Sequence, residues 1–339
     1  MHYLLDSGTG SDVVFSVGTE DQNTLFPVHK AILSTCSDVF HAMFYGALRN
    51  LEVVIHVPDI NPTVFRKILV YIYTDTTTFD TLDEAFQILY ASKKYMLLPL
   101  SIKCRKYIAQ NLDVTNVCKM FELVTSVSDE EDLHDQCLQF ICMKMSEIMK
   151  DQSFMNLSPA TLDVILDQDS LQIDSEVDIV HSVLRWACEE CSRCELPVTS
   201  QNKRHVLQSA LKRIRFFSLT PEEYADVGDI CDILTPEEDS VILSNIMRRK
   251  VISMCPNLCS NPKKRLIGTA PKSCPQCRRT HKPVANNRSG SQISFGARRG
   301  SFGQSAYSNA SLFSGSHTGT SMSCPYCGYV YTKNKFRDL

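Results

Sequence analysis

The sequence predicts an α+β front domain, then an all-helical domain, then a tail of different composition. Three observations carry that expectation. β-branched runs with strand character stop near Asp113. Amphipathic segments of helical period then follow one another to about Ile246. Beyond that point Ser, Gly, Cys and basic residues take over, and a length of 339 residues suits two domains with such a tail.

In the front domain, Asp12–Val17 and Val53–Val57 read as short strands. Between them, apolar residues at 39, 40, 43 and 44 have helical spacing, and His29–Ser34 precedes them. Asn61-Pro62 reads as an N-cap with proline at the first helical position, opening a helix that carries Val64, Phe65, Ile68, Leu69 and Ile72. Leu82–Leu98 repeats that pattern. In the second domain the expected helices are Val117–Val127, Leu133–Met149, Pro159–Asp167, Val177–Cys191 and Arg204–Arg213, with a last one ending near Ile246. Ser158 and Ser175 are candidate N-caps, and Thr220-Pro221-Glu222-Glu223 and Thr235-Pro236-Glu237-Glu238 fit the capping box.

Hydrophobic residues make up 43% and charged residues 22%, enough to bury a core. No apolar run is long enough to span a bilayer, and Met1–Asp12 lacks a basic region followed by an apolar stretch, so neither a membrane span nor a secretory signal is expected. Fifteen cysteines, without an export signal, imply reduced thiols or metal ligands. The expected location is the cytoplasm, with the nucleus as the alternative. The net charge of -3 hides an asymmetry: residues 240–339 hold 16 basic residues and one acid, Asp338, whereas residues 1–239 hold 19 basic and 37 acidic residues. Such a split implies two different tasks, or one half neutralising the other. No nucleophile–base arrangement, phosphate-binding glycine loop or HExxH motif occurs, so no enzymatic activity is expected.

Several motifs resemble the BTB (POZ) family: Ser11–Phe15, Phe26-Pro27-Val28-His29-Lys30-Ala31-Ile32-Leu33, Ser37–Phe40, Met43–Gly46 and Tyr71–Thr74, in the family's order. The helical stretch is similar to the BACK domain that follows BTB in cullin-3 adaptors, with Val180–Trp186 matching one of its core helices. Ala42–Gly46 and Leu89–Tyr95 are similar to the subgroup that ends in a PHR β-sandwich, and the tail here lacks the alternating strands of a sandwich. The implied architecture is a helix-rich BTB/POZ domain over 1–112, an all-α BACK domain over 113–247 and a basic tail over 248–339. The resemblance implies a homodimer, with Asp12, His29 and Lys30 at the two-fold interface; the alternative is that Asp12 and Lys30 are ordinary strand-end and helix-start charges. It also implies a cullin-3 surface containing Phe44, Tyr45, Leu48 and Asn50. The family's pattern there is an apolar residue, any residue, then Glu; here Leu48-Arg49-Asn50 keeps the apolar member and replaces the acid. Asn accepts weaker hydrogen bonds than a carboxylate by about 1 kcal/mol, so weakened cullin binding is expected.

The tail holds two matching knuckles, Cys274-Pro275-Gln276-Cys277 and Cys324-Pro325-Tyr326-Cys327. Two residues between thiols let both sulfurs reach one ion, and two knuckles supply the four thiolates of a structural zinc site. The 46 residues between Cys277 and Cys324 exceed the usual spacing. Closing that loop costs only about 1 kcal/mol more than closing a short one. Structural zinc supplies roughly 10 kcal/mol or more. Unmetallated or redox-active thiols are the alternatives. Residues 289–323, with 11 Ser and 6 Gly, read as a flexible insert. Within it, Arg298-Arg299-Gly300-Ser301 has the form of a basophilic kinase site at Ser301. The bland reading of the basic tail is a solvated segment that folds back on its acidic neighbour; the sharper one is nucleic-acid contact. Cys188, Cys191 and Cys194, and the single cysteines 36, 104, 118, 137, 142 and 231, read as packing.

The expected function is a homodimeric adaptor that recruits an unidentified substrate protein to a cullin-3 RING ubiquitin ligase. A non-ligase BTB scaffold, or a chromatin-associated regulator using the basic zinc-binding tail, is the alternative.

Overall fold

The computed structural model describes residues 2–265 apart from 20, 21, 48, 51, 128, 231 and 249–254, and beyond them only four short strand segments. The chain forms two units, one over Met1–Thr269 and a second over Ala270–Leu339.

The first unit opens with α1 (His2–Ser7), β1 (Val13–Thr19), β2 (Gln22–Val28), α2 (Lys30–Cys36), α3 (Asp38–Tyr45) and β3 (Val54–Val57). The strands form one sheet in the order β2-β1-β3. β1 pairs antiparallel with β2, Val13 facing Val28, and parallel with β3, Val14 facing Val54. β2 is not legible as a strand in the sequence because of Pro27, which lacks a backbone donor. It is tolerated because β2 lies at the sheet edge.

Helices α4 (Pro62–Thr74), α5 (Leu82–Lys94) and α6 (Leu98–Gln110) complete the front domain. Asn61 caps α4 as expected, its side chain accepting from the Thr63 N–H at 2.9 Å, with proline at the first turn. The helical pattern expected over Leu82–Leu98 instead breaks after Lys94, where Met96 adopts φ 53° and the Leu97 N–H turns back to Ser92 O. An aromatic cluster fills the space between sheet and helices. Phe40 stacks on Tyr95 with ring centroids 4.4 Å apart, and Phe15, Phe44 and Phe65 pack around them.

The helical domain contains α7 (Val117–Thr125), α8 (Glu131–Ile148), α9 (Gln152–Met155), α10 (Pro159–Leu166), α11 (Glu176–Arg193), α12 (Ser200–Val206), α13 (Pro221–Asp226) and α14 (Pro236–Arg248). Ser158 caps α10, and both predicted capping boxes form, at Thr220/Glu223 and Thr235/Glu238. Lys144 leaves helical geometry inside α8 because an extended segment hydrogen-bonds there, through Gln172 N to Cys142 O and Ser146 N to Gln172 O. The helix expected over Arg204–Arg213 ends at Val206 and resumes as a single 3₁₀ turn, Ala210–Lys212. Trp186, the one tryptophan, is fully buried and donates its indole N–H to Leu157 O at 2.9 Å.

Burial pushes the Cys104, Cys118 and Cys137 thiols up to about 12, as inert packing residues require. Cys191 is buried too, but Cys36 and Cys194 are exposed, so those two depart from the packing reading. Cys231 lies outside the described residues. In the second unit, β4 (Ser273–Cys274) pairs with β5 (Arg279–Thr280), and β6 (Ser321–Ser323) with β7 (Val330–Thr332), both antiparallel.

Replacing Trp186 with Ala removes a buried ring and its hydrogen bond. Unfolding followed by circular dichroism is expected to show a loss of about 3–5 kcal/mol.

Candidate protein-interaction surface

The front domain presents two regions to which the sequence assigned function. The first is the junction of β2 and α2. The His29 ring sits between Tyr73 and the Gly8–Gly10 turn: Nδ1 lies 2.8 Å from the Tyr73 hydroxyl and Nε2 2.9 Å from Thr9 O. The tautomer with the proton on Nε2 fits both contacts, since Thr9 O accepts and the Tyr73 O–H donates to Nδ1. The Tyr73 oxygen in turn accepts the His29 backbone N–H at 3.1 Å. Asp12 Oδ1 accepts from the Lys30 N–H at 2.8 Å, satisfying an orphan donor at the start of α2. Asp12 and Lys30 therefore meet through the lysine backbone, while the Lys30 ammonium lies 6.0 Å from the Phe44 ring centroid. Within one subunit these residues organise the strand-to-helix corner.

The second region follows α3. Gly46 ends the helix, its N–H donating to Ala42 O; a Cβ there would stand 2.4 Å from that oxygen, so only glycine fits. The Asn50 N–H reaches back to Met43 O at 2.8 Å, and its side-chain oxygen accepts the Glu52 N–H at 2.8 Å. Asn50 thus holds an Asx turn that a longer glutamate side chain fits less readily. Phe44 is 5% exposed and belongs to the aromatic core, so its ring supports the surface from beneath. The apolar residues offered outward are Tyr45, at 52% exposure, and Val53, at 72%. Leu48 lies outside the described residues.

The join between front and helical domains was invisible in the sequence, where Glu130 stands in a run of acids that reads as a solvated patch. Its side chain is 1% exposed. Arg105 on α6 grips both carboxylate oxygens, each at 2.8 Å, and Lys93 on α5 approaches to 3.2 Å. Burial alone would raise the Glu130 carboxyl, but Arg105 and Lys93 outweigh it and hold the group below its ordinary value of 4.5. The neighbouring Lys119–Asp83 pair links α7 to α5.

Cys277, Cys324, Cys327 and Ser301 lie outside the described residues, and Cys274 is described only as part of β4. Among the described residues no cluster of three metal-ligating side chains occurs, and no helix is long and apolar enough to cross a membrane.

Comparison with known proteins gives this geometry its class. The BTB/POZ domain family matches residues 1–112, and the family described as "BTB And C-terminal Kelch" (BACK) matches residues 117–227. The chain carries a BTB/POZ domain followed by a BACK domain, a pairing that marks protein-interaction adaptors. Its curated relatives are BTB/POZ domain-containing proteins. Human BTB/POZ domain-containing protein 6 is 35% identical over 228 residues, and the Xenopus laevis protein of that name 36%; each alignment covers 67% of this chain and 42% of the relative. Human BTB/POZ domain-containing protein 3 is 32% identical, over 68% of this chain and 44% of the relative. The chain therefore spans less than half the length of these relatives. A solved BTB domain of zebrafish PATZ1 shares 30% identity over 31% of this chain and 81% of that one, with a TM-score of 0.27.

Glu130→Gln leaves two cations facing a neutral amide, and unfolding is expected to show a loss of about 2–3 kcal/mol, reduced from the fully buried case because Arg105 and Lys93 are partly solvated. Because the folded carboxyl titrates below its unfolded value, its contribution is present above pH 4.5 and is lost as pH falls through the folded value. The gap between wild type and Glu130→Gln should therefore narrow in acid, as equilibrium denaturation across a pH series would measure.

Proposed function

We propose that this chain is a homodimeric adaptor that recruits a substrate protein to a cullin-3 RING ubiquitin ligase. The observation that carries the reading is the BTB–BACK pair joined by the Glu130 clasp: a docking surface on the front domain is held at a set angle to the helices behind it. Tyr45, Val53 and the Asn50 turn form the outward part of that surface, with Leu48 in the same loop by sequence. Dimerisation through the BTB domain would duplicate the recruiting elements and raise avidity. The family habit of non-enzymatic adaptors fits the absence of a catalytic motif in the sequence.

In the tail, each Cys-Pro-x-Cys motif falls within a pair of antiparallel strands, one with β4 and β5 and the other with β6 and β7. A short connection between paired strands is the setting in which two such thiols face one ion, which supports structural zinc on Cys274, Cys277, Cys324 and Cys327. The substrate-contacting element on this reading is the basic tail, with Ser301 as a phosphorylation site that would lower its charge. On this reading the chain works in the cytoplasm. Nucleic-acid contact and a nuclear role are the second reading, favoured by the 16 basic residues against one acid in residues 240–339.

Titration of the purified full chain with the N-terminal region of cullin-3 tests the main reading. Saturable binding is expected, strengthened about fivefold by Asn50→Glu, because the regained carboxylate outweighs the lost Asx turn. Absence of binding in both proteins would overturn it. Elemental analysis should find one zinc per chain, lost together from a Cys277→Ser, Cys324→Ser double variant. A steep salt dependence of DNA or RNA binding by the full chain would favour the second reading.

A further inference from the structure

The basic triplet Lys263-Lys264-Arg265 reads in the sequence as part of a solvated tail. The structure places Arg265 in the interior instead. Its side chain is 0% exposed, facing the Glu176 carboxylate, itself 4% exposed, in the first turn of α11. The guanidinium Nε donates to Glu176 Oε2 at 3.1 Å and Nη2 to Oε1 at 3.3 Å. Nη2 also donates to Arg213 O at 3.0 Å, and Nη1 donates to Leu166 O at 2.9 Å and to Gln168 O. All five N–H donors of the arginine are used.

The partners explain why the position needs this residue type. Leu166 is the last residue of α10, and Arg213 closes the 3₁₀ turn after α12, so both offer chain-end carbonyls that no helix satisfies. A cation is favoured at such C-termini, and the Glu176 anion at a helix N-terminus. One planar fork therefore serves two helix ends and a buried carboxylate that would otherwise lack a counter-charge. Lysine, with three donors on one atom, does not reach this set of acceptors.

The grip is reciprocal. Arg215 donates its backbone N–H to Glu176 Oε1 at 2.8 Å and its Nη1 N–H to Lys263 O at 3.3 Å, so the helical domain holds the backbone of residues 255–265 where that segment's own arginine enters. Asp169 pairs with the other Arg215 nitrogen. At the opposite end Leu258 is buried in the core, and Asn257 donates to Glu238 Oε1 at 3.4 Å, a carboxylate already forked by Arg204. The BACK family match ends at residue 227, well short of these contacts.

We propose that Cys255–Arg265 is an intrachain strap that closes the helical domain, and that the pocket between α10, α11 and the Arg213 turn is an arginine socket whose occupant is this chain's own Arg265. The strap lies wholly within the first unit, which ends at Thr269. The proposal is independent of the ligase reading.

Lys263 and Lys264 are exposed on the strap and give trypsin a direct report of its release. Limited digestion of the full chain, with cleavage after both lysines quantified by mass spectrometry, would be compared with a synthetic peptide of residues 255–270. Wild type should be cut at least about tenfold more slowly than the peptide, because cleavage follows the population of the open strap. Arg265→Ala and Glu176→Gln should approach the peptide rate, and Arg265→Lys should fall between. If the first two variants fail to fold by circular dichroism, Arg265→Lys against wild type decides the matter. Cleavage of wild type at the peptide rate, or equal protection of wild type and the folded variants, would overturn the proposal.

Discussion

A carboxylate buried against an arginine fork is the constraint on which this architecture rests. Glu130 is the first instance: it sits where the BTB sheet-and-helix domain meets the helices behind it, and Arg105 and Lys93 reach it from the BTB side. A buried anion without its partners would be costly, so front and helical domains are held in the one arrangement that supplies both cations. The orientation of the helical domain against the front domain is then a property of the fold.

The same solution recurs twice in the helical domain. Glu238 is forked by Arg204 while accepting the Thr235 N–H, so one carboxylate closes a capping box and ties α12 to the start of α14. Glu176 is forked by Arg265 while accepting the Arg215 N–H. Each of the three pairs joins a glutamate to an arginine distant in sequence, and the two in the helical domain place backbone donors and acceptors around the pair. Arginine suits this work because its planar fork matches a carboxylate and still leaves N–H groups for carbonyls, as at Arg265. The acidic and basic stretches of the sequence thus meet in at least one specific place.

Much of the fold was legible because it depends on local chemistry. Asn61-Pro62, Ser158-Pro159, Ser175 and the two Thr-Pro-Glu-Glu sequences each opened a helix where capping requires one, since the hydrogen bonds involved span two or three residues. Strand β2 was not, because whether Pro27 is tolerated depends on which edge of the sheet it occupies. Met96 breaks a helical pattern that continues in the residues themselves, and Phe44, assigned to a binding surface, is committed to the aromatic core by its contacts with Phe15 and Phe40.

By itself the sequence determined the α+β front, the helical domain and the family resemblance, because periodicity, caps and contiguous motifs are short-range properties. Tertiary structure alone decided which charges are interior. Glu130 lies in an acidic run and Arg265 in a basic one, and each reads as solvated until its partners, 25 and 89 residues away, are brought beside it. The physical reason is that the cost of burying a charge is set by what surrounds it in space, and that neighbourhood is assembled only when the chain folds.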